Sequence, residues 1–373
     1  MIWKRGTLAD FLGDYVVYRN LEPMRRDLRG LRAAWAAIGL DHYYIPRKTA
    51  PQYADALINF LHQAQRVRGV SAPLRRALFI GDTLMNDGRA ARNVGRHLPL
   101  MGFIGSDRLA QPRRVDLEGE LMVANRWEAL ADFVEWIHSS QFPCDKQTAL
   151  LIDLDKTSLG ARGRNDRVID AARVRAVQRT MRAALGEGFD QAGFRRLYDR
   201  LNQPEYHPFT ADNQDYLAYI CLMVSGGAFS AEELWRELAN GKLSSISDFV
   251  ARCDAQSNRM SSELLAAHAE VRQGMEMSDP TPFKGFRRGE YLETIARMDV
   301  LPDDAGEEEV LSSEIVITAE VGAVADYMAE RGVLIFGISD KPDEASVPTI
   351  DQAAEGYQPI HRATMKVYGK SAI

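Results

Sequence analysis

Four short apolar runs, each stopping at a polar cluster, set the pattern of this chain. Residues 77–80, 100–104, 148–152 and 333–338 are almost continuously apolar, as expected of parallel strands covered on both faces. Between them, apolar positions recur at helical spacing. Leu28, Leu31, Trp35 and Ile38 predict a helix over 25–40 with Gly39 near its end, and Tyr53, Leu57, Phe60 and Leu61 predict another opening at Pro51. Further helices are expected over 89–98, 127–137 and 321–332, and a short strand over 42–45. Residues 105–147 read as a long crossover holding a single helix. Residues 1–24 show no assignable pattern, and the tail, 347–373, reads as irregular.

The middle of the chain is different. Val174, Val177, Met181 and Leu185 mark a long helix, and residues 187–286 keep helical periodicity, with breaks at 204–208, at Gly226-Gly227 and at 278–282. This predicts a helical domain inserted between two strands. At 373 residues the chain exceeds the size at which single cores usually stop growing, which suits a core with an insertion.

Two strand ends carry carboxylates. The run at 148–152 ends in Asp153-Leu154-Asp155-Lys156-Thr157, and the run at 77–80 ends in Gly81-Asp82-Thr83-Leu84-Met85-Asn86-Asp87-Gly88. Ligands of an open α/β sheet bind beyond the carboxyl ends of its strands, where these acids fall. Carboxylates held close together repel unless a cation lies between them or one takes a proton. The strand at 333–338 ends in Ser339-Asp340-Lys341, a hydroxyl suited to a phosphate oxygen or simply to a turn. The polar, Gly-rich stretch 158–166 suits a mobile loop. His207, beside Tyr206, reads as a packing or surface histidine.

Bulk properties narrow the partners. A net charge of −6 with interleaved signs argues against nucleic acid or an anionic membrane surface, and Arg25-Arg26 and Arg287-Arg288 read as solvated faces. The three cysteines, Cys144, Cys221 and Cys253, are scattered and form no Cys-x-x-Cys pair, so neither a disulfide framework nor a zinc site is expected. No apolar stretch approaches the roughly 18 residues of a membrane span, and the first residues lack the apolar region of a signal peptide. A cytoplasmic location is expected; oligomeric state is open.

Taken together, Asp153-x-Asp155-x-Thr157, Ser339, a lysine and Gly81-Asp82-(x4)-Asp87 resemble the four motifs of the haloacid dehalogenase (HAD) superfamily of phosphohydrolases. The order departs from the family, in which the Asp-x-Asp motif comes first and the acidic pair last. Starting the sequence near Gln141 restores the family order, so the chain resembles a circularly permuted member. The fold expected is α/β, a Rossmann-like parallel sheet with an inserted helical cap. Residues 1–140 would form the first part of the core, 141–186 the nucleophile strand and helix, 187–286 the cap, and 287–373 the remaining core and tail. Lys48 is the candidate lysine because Lys48-Thr-Ala-Pro-x-Tyr53 precedes a helix and then the acidic strand; Lys341 and Lys366 stay open.

The resemblance implies a magnesium-dependent phosphatase of a small phosphate ester. Asp153 would be the nucleophile, Asp155 the general acid and then base, Thr157 a brace for the turn, and Ser339 and Lys48 holders of phosphoryl oxygens. Asp153, Asp155 through its main-chain carbonyl, Asp82 and Asp87 would hold the ion. Two alternatives stand beside it: a catalytically weak phosphate-binding or regulatory protein of the same fold, and an independent nucleotide-binding unit over 1–140 joined to a partial hydrolase. The last is tested by geometry, since only the permuted core places strands 77–80 and 148–152 side by side.

Overall fold

The computed structural model describes residues 2–370 and divides into two units. One comprises the chain up to Ala171 and again from Thr294; the other is Ala172–Glu293.

The first unit is built on a seven-stranded sheet. In chain order its strands are β1 (Val16–Val17), β2 (Arg76–Gly81), β3 (Leu100–Gly105), β4 (Val115–Glu118), β5 (Leu121–Ala124), β6 (Thr148–Asp153) and β7 (Leu334–Ile338). In space they run β1-β7-β6-β2-β3-β5-β4, all neighbours parallel except the β5–β4 pair. The fold is Rossmann-like α/β. Strands β2 and β6 are direct neighbours, with Ala77 opposite Ala149 and Ile80 opposite Ile152, and on its other side β6 pairs with β7, Asp153 lying opposite Ile338. A separate unit over 1–140 is therefore excluded.

Side-chain alternation explains which groups meet. Ala77 and Phe79 of β2, Ala149 and Leu151 of β6, and Leu334, Phe336 and Ile338 of β7 share one apolar cluster with Tyr53, Leu57, Phe60 and Leu61 of the helix Pro51–Val67. With period two, Asp153 follows Ala149 and Leu151 onto that face. The helix starts at Pro51, whose missing N–H is no loss in the first turn, and it buries one stripe along its length. A second, small sheet joins Arg5–Gly6, Met365–Tyr368 and Ile317–Thr318.

Several expectations fail on short elements. Residues 42–45 form no strand, and the helix over 25–40 shrinks to Leu31–Ala34; neither stretch has a ladder partner or a long buried stripe. The crossover holds a hairpin, β4 and β5, turning at Gly119 (φ +64°), too short for its alternation to stand out. The tail is not irregular: Met365–Tyr368 is the middle strand of the small sheet.

The loop after β6 is also unlike the mobile segment expected. Asn165 is buried and donates to the carbonyls of Leu311 (2.6 Å) and Glu314 (2.9 Å) while accepting from Val316 N–H (3.2 Å). Gly163 (φ +77°) packs so closely on Asp107 that a Cβ would lie 1.9 Å from the Asp107 carbonyl oxygen, so only glycine fits.

The second unit, Ala172–Glu293, is helical, with an aromatic core that includes Phe209, Tyr219, Phe229 and Phe249. Arg287 is not on a solvated face. It is buried between Asp215 (Nε to Oδ2, 2.9 Å) and Glu290 (Nη1 to Oε2, 2.6 Å), because a buried guanidinium needs carboxylates on more than one side. His207 is partly exposed, 3.5 Å from Asp212.

Among the described residues the cysteines are unpaired and no helix is long and apolar enough to cross a membrane.

Candidate active site

Asp153, the last residue of β6, is fully enclosed at the carboxyl end of the sheet's central strands. Its main-chain carbonyl accepts from Ser158 Oγ (2.9 Å). The chain then turns back at Lys156, whose φ of +65° is unusual for a side-chain-bearing residue. Thr157 is buried, and its carbonyl accepts from Thr318 Oγ1 at 2.6 Å. The turn is thus pinned to the small sheet, with Asp155 on it, partly exposed and bridged through its backbone to Leu159.

Asp82 and Asp87 arrive from the neighbouring strand end. Gly81 lets them approach, since a Cβ there would lie 2.4 Å from Asp87 Cβ. Asp87 closes a tight π turn, Leu84–Gly88, and its Oδ2 accepts from Asp82 N–H (3.1 Å), Thr83 N–H (2.9 Å) and Thr83 Oγ1 (3.0 Å). Carboxylate oxygens of Asp82, Asp87 and Asp153 all lie within 4.8 Å of one another.

Lys48 stands between two of them, its Nζ 2.5 Å from Asp153 Oδ1 and 2.5 Å from Asp87 Oδ1. The segment carrying it is tied at both sides: Arg19 Nη1 donates to the Pro46 carbonyl (2.7 Å), and Asn93 Nδ2 to the Thr49 carbonyl (3.1 Å). Of the other candidate lysines, Lys366 is buried far from these acids in the small sheet, bound to Glu314 (2.9 Å), Asp299 (3.2 Å) and the Leu301 carbonyl (2.7 Å). Lys341 is buried in the turn after Ser339. Ser339 itself is fully buried at the end of β7; its N–H donates to the Val17 carbonyl (3.0 Å) and its hydroxyl accepts from Lys341 N–H (3.1 Å).

Electrostatics follow from crowding. Burial, reinforced by the Asp87 charge and opposed by Lys48, pushes the Asp153 carboxyl up to about 7. Burial together with Asp87 and Asp153 pushes Asp82 up to about 9, against the pull of Arg162. Asp87 goes the other way: burial disfavours its charge, but Lys48 and the donors around it hold it well below the usual carboxylate range. For Lys48, burial is outweighed by Asp153 and Asp87, so the ammonium stays protonated well above its ordinary range. With all three ionised, the acids would carry more negative charge than Lys48 alone balances.

Such a set fits a hard divalent cation. Carboxylate oxygens are the donors that magnesium-type ions take, and this is the one group of three or more metal-ligating side chains found together among the described residues.

Sequence reasoning missed three contributors. Thr83 supplies two of Asp87's donors, Ser158 anchors the Asp153 carbonyl, and the Arg162 guanidinium bonds Asp82 through Nε. The glycines flanking Arg162, at 160 and 163, were the available signal, since paired glycines in a short loop mark a backbone held in a special shape.

Comparison with protein-family models, with curated proteins and with solved structures returned no match.

Proposed function

We propose that the protein is a magnesium-dependent phosphatase of a small organic phosphate ester, acting through an aspartyl-phosphate on Asp153, with a core that is a circular permutation of the haloacid dehalogenase arrangement. The observation that carries this reading is the meeting of Asp153, Lys48, Asp82 and Asp87 from three chain segments at the carboxyl ends of β6 and β2. The motif order supports it further: nucleophile strand, helical insertion, serine strand, lysine segment and acidic pair recur in family sequence once the chain is rotated.

In this reading an Asp153 carboxylate oxygen forms a bond to phosphorus as the ester P–O bond breaks. Asp155 gives its proton to the departing alkoxide, then takes one from the water that attacks phosphorus as the bond to Asp153 breaks, which releases inorganic phosphate and frees the carboxylate. Lys48 and the Ser339 hydroxyl hold phosphoryl oxygens, and Lys48 favours the charged form of Asp153 against the effect of burial. Asp153, Asp82, Asp87 and the Asp155 carbonyl are the groups to hold magnesium, which when bound offsets the charge of the phosphoryl group and of these acids. The helical unit Ala172–Glu293, placed in sequence between nucleophile and serine strands, corresponds to the family's cap.

The test is a panel of phosphate esters assayed with magnesium, for the parent protein and for Asp153→Asn. Hydrolysis of at least one ester that vanishes with the substitution is expected. Hydrolysis that survives it rules out the aspartyl-phosphate route.

A further inference from the structure

Two arginines of the loop after β6 sit in contrasting surroundings. Arg164 is saturated: Nε meets Asp107 (2.7 Å) and its terminal nitrogens meet Glu320 (both 3.0 Å). Arg162 bonds Asp82 through Nε alone, and its terminal amino groups make no hydrogen bond to another described residue. Its side chain keeps 36% of its surface exposed, whereas Asp82 beneath it keeps 7%.

The backbone that carries Arg162 is fixed. Its N–H donates to the Lys156 carbonyl (2.8 Å), and its own carbonyl accepts from Asp107 N–H (2.8 Å) and from Trp127 Nε1 (3.2 Å). A clamped main chain thus presents a guanidinium with unused donors at the edge of a carboxylate cluster. Guanidinium forks match phosphate oxygens, and a donor set anchored this firmly needs little ordering to bind them.

We propose that Arg162 is a substrate-binding residue of this site: it contacts Asp82 in the free protein, directs its terminal amino groups at the phosphoryl oxygens of the ligand, and weakens the hold of the site on its divalent cation. The inference rests on the phosphatase reading for the identity of the ligand. The effect on the cation follows from charge alone. A fixed positive group beside Asp82 repels a divalent cation and attracts a phosphate anion. Removing the guanidinium should therefore move the two affinities in opposite directions, which loss of a mere structural prop cannot do.

The experiment uses the full chain with Arg162→Gln and Arg162→Lys. Magnesium binding is measured by calorimetry without substrate, and binding of inorganic phosphate is measured with magnesium saturating. For Arg162→Gln the magnesium dissociation constant is expected to fall about fivefold and that of phosphate to rise about tenfold. Arg162→Lys, which keeps the charge but not the fork, should leave magnesium near the parent value and recover part of the phosphate affinity. Weaker binding of both ions in Arg162→Gln, or unchanged phosphate affinity, overturns the assignment. Opposite shifts in a protein that hydrolyses no ester would uphold the role of Arg162 and defeat the phosphatase reading; ester hydrolysis with unchanged phosphate affinity in Arg162→Gln would do the reverse.

Discussion

Lys48 Nζ lies 2.5 Å from Asp153 Oδ1 across 105 positions of sequence, and the same nitrogen lies 2.5 Å from Asp87. One ammonium therefore joins the lysine segment, the acidic pair and the nucleophile strand. Lys48→Met would leave the buried carboxylates of Asp153 and Asp87 without their shared cation. Breaking a buried ion pair by removing one partner costs about 3–5 kcal/mol. Urea denaturation without added metal should show a loss of that order, and magnesium should restore part of it.

Stability should also depend on pH in a direction set by the raised acids. Asp153 and Asp82, at about 7 and about 9, hold protons in the folded state that an unfolded chain releases near pH 4. Their contribution is full below about pH 4 and is lost as pH rises through about 7 and then about 9. Magnesium removes this loss by favouring the ionised acids. Melting curves from about pH 5 to about pH 8 should show a magnesium-induced rise in Tm that grows with pH. A rise that shrinks with pH would contradict the cluster as the cation site.

Lys366 offers the complementary case. Its ammonium is enclosed by Glu314, Asp299 and the Leu301 carbonyl, away from the carboxylate cluster. Lys366→Met is expected to destabilise by about 3–5 kcal/mol while the folded fraction keeps its turnover. Denaturation and active-site-normalised assays separate the two effects, whereas Lys48→Met should lower both.

How much of this was legible from residues alone depended on the strength of local patterning. The four apolar runs and the long helices carried enough repeated hydrophobic positions to reveal the parallel sheet and the helical unit. Asp153, Asp82 and Asp87 were legible because a carboxylate at the end of a buried apolar run is chemically out of place. The hairpin β4–β5 and the strand Met365–Tyr368 were not, since strands of four residues take their identity from partners far away in sequence. Arg162 escaped for a related reason: its meaning comes from Asp82, 80 positions away, and the glycines beside it mark a shaped backbone without saying which arginine faces the acids. Arg287 was misread because a charged pair in a helix looks solvated until Asp215 and Glu290 are seen around it.

Asp155 should reveal its role through the leaving group. If it supplies the proton, Asp155→Asn should slow hydrolysis of alkyl phosphates by about 10²–10⁴-fold and slow aryl phosphates with acidic leaving groups much less. Equal loss on both classes would assign Asp155 to positioning.

The covalent step is the most direct point of attack. Parent protein mixed with magnesium and a hydrolysable phosphate ester, quenched in acid during turnover and mapped by peptide mass spectrometry, should carry one phosphoryl group on Asp153. Asp153→Asn treated in the same way should carry none. A phosphoryl group on another side chain, or steady turnover with Asp153 replaced, would contradict Asp153 as the nucleophile.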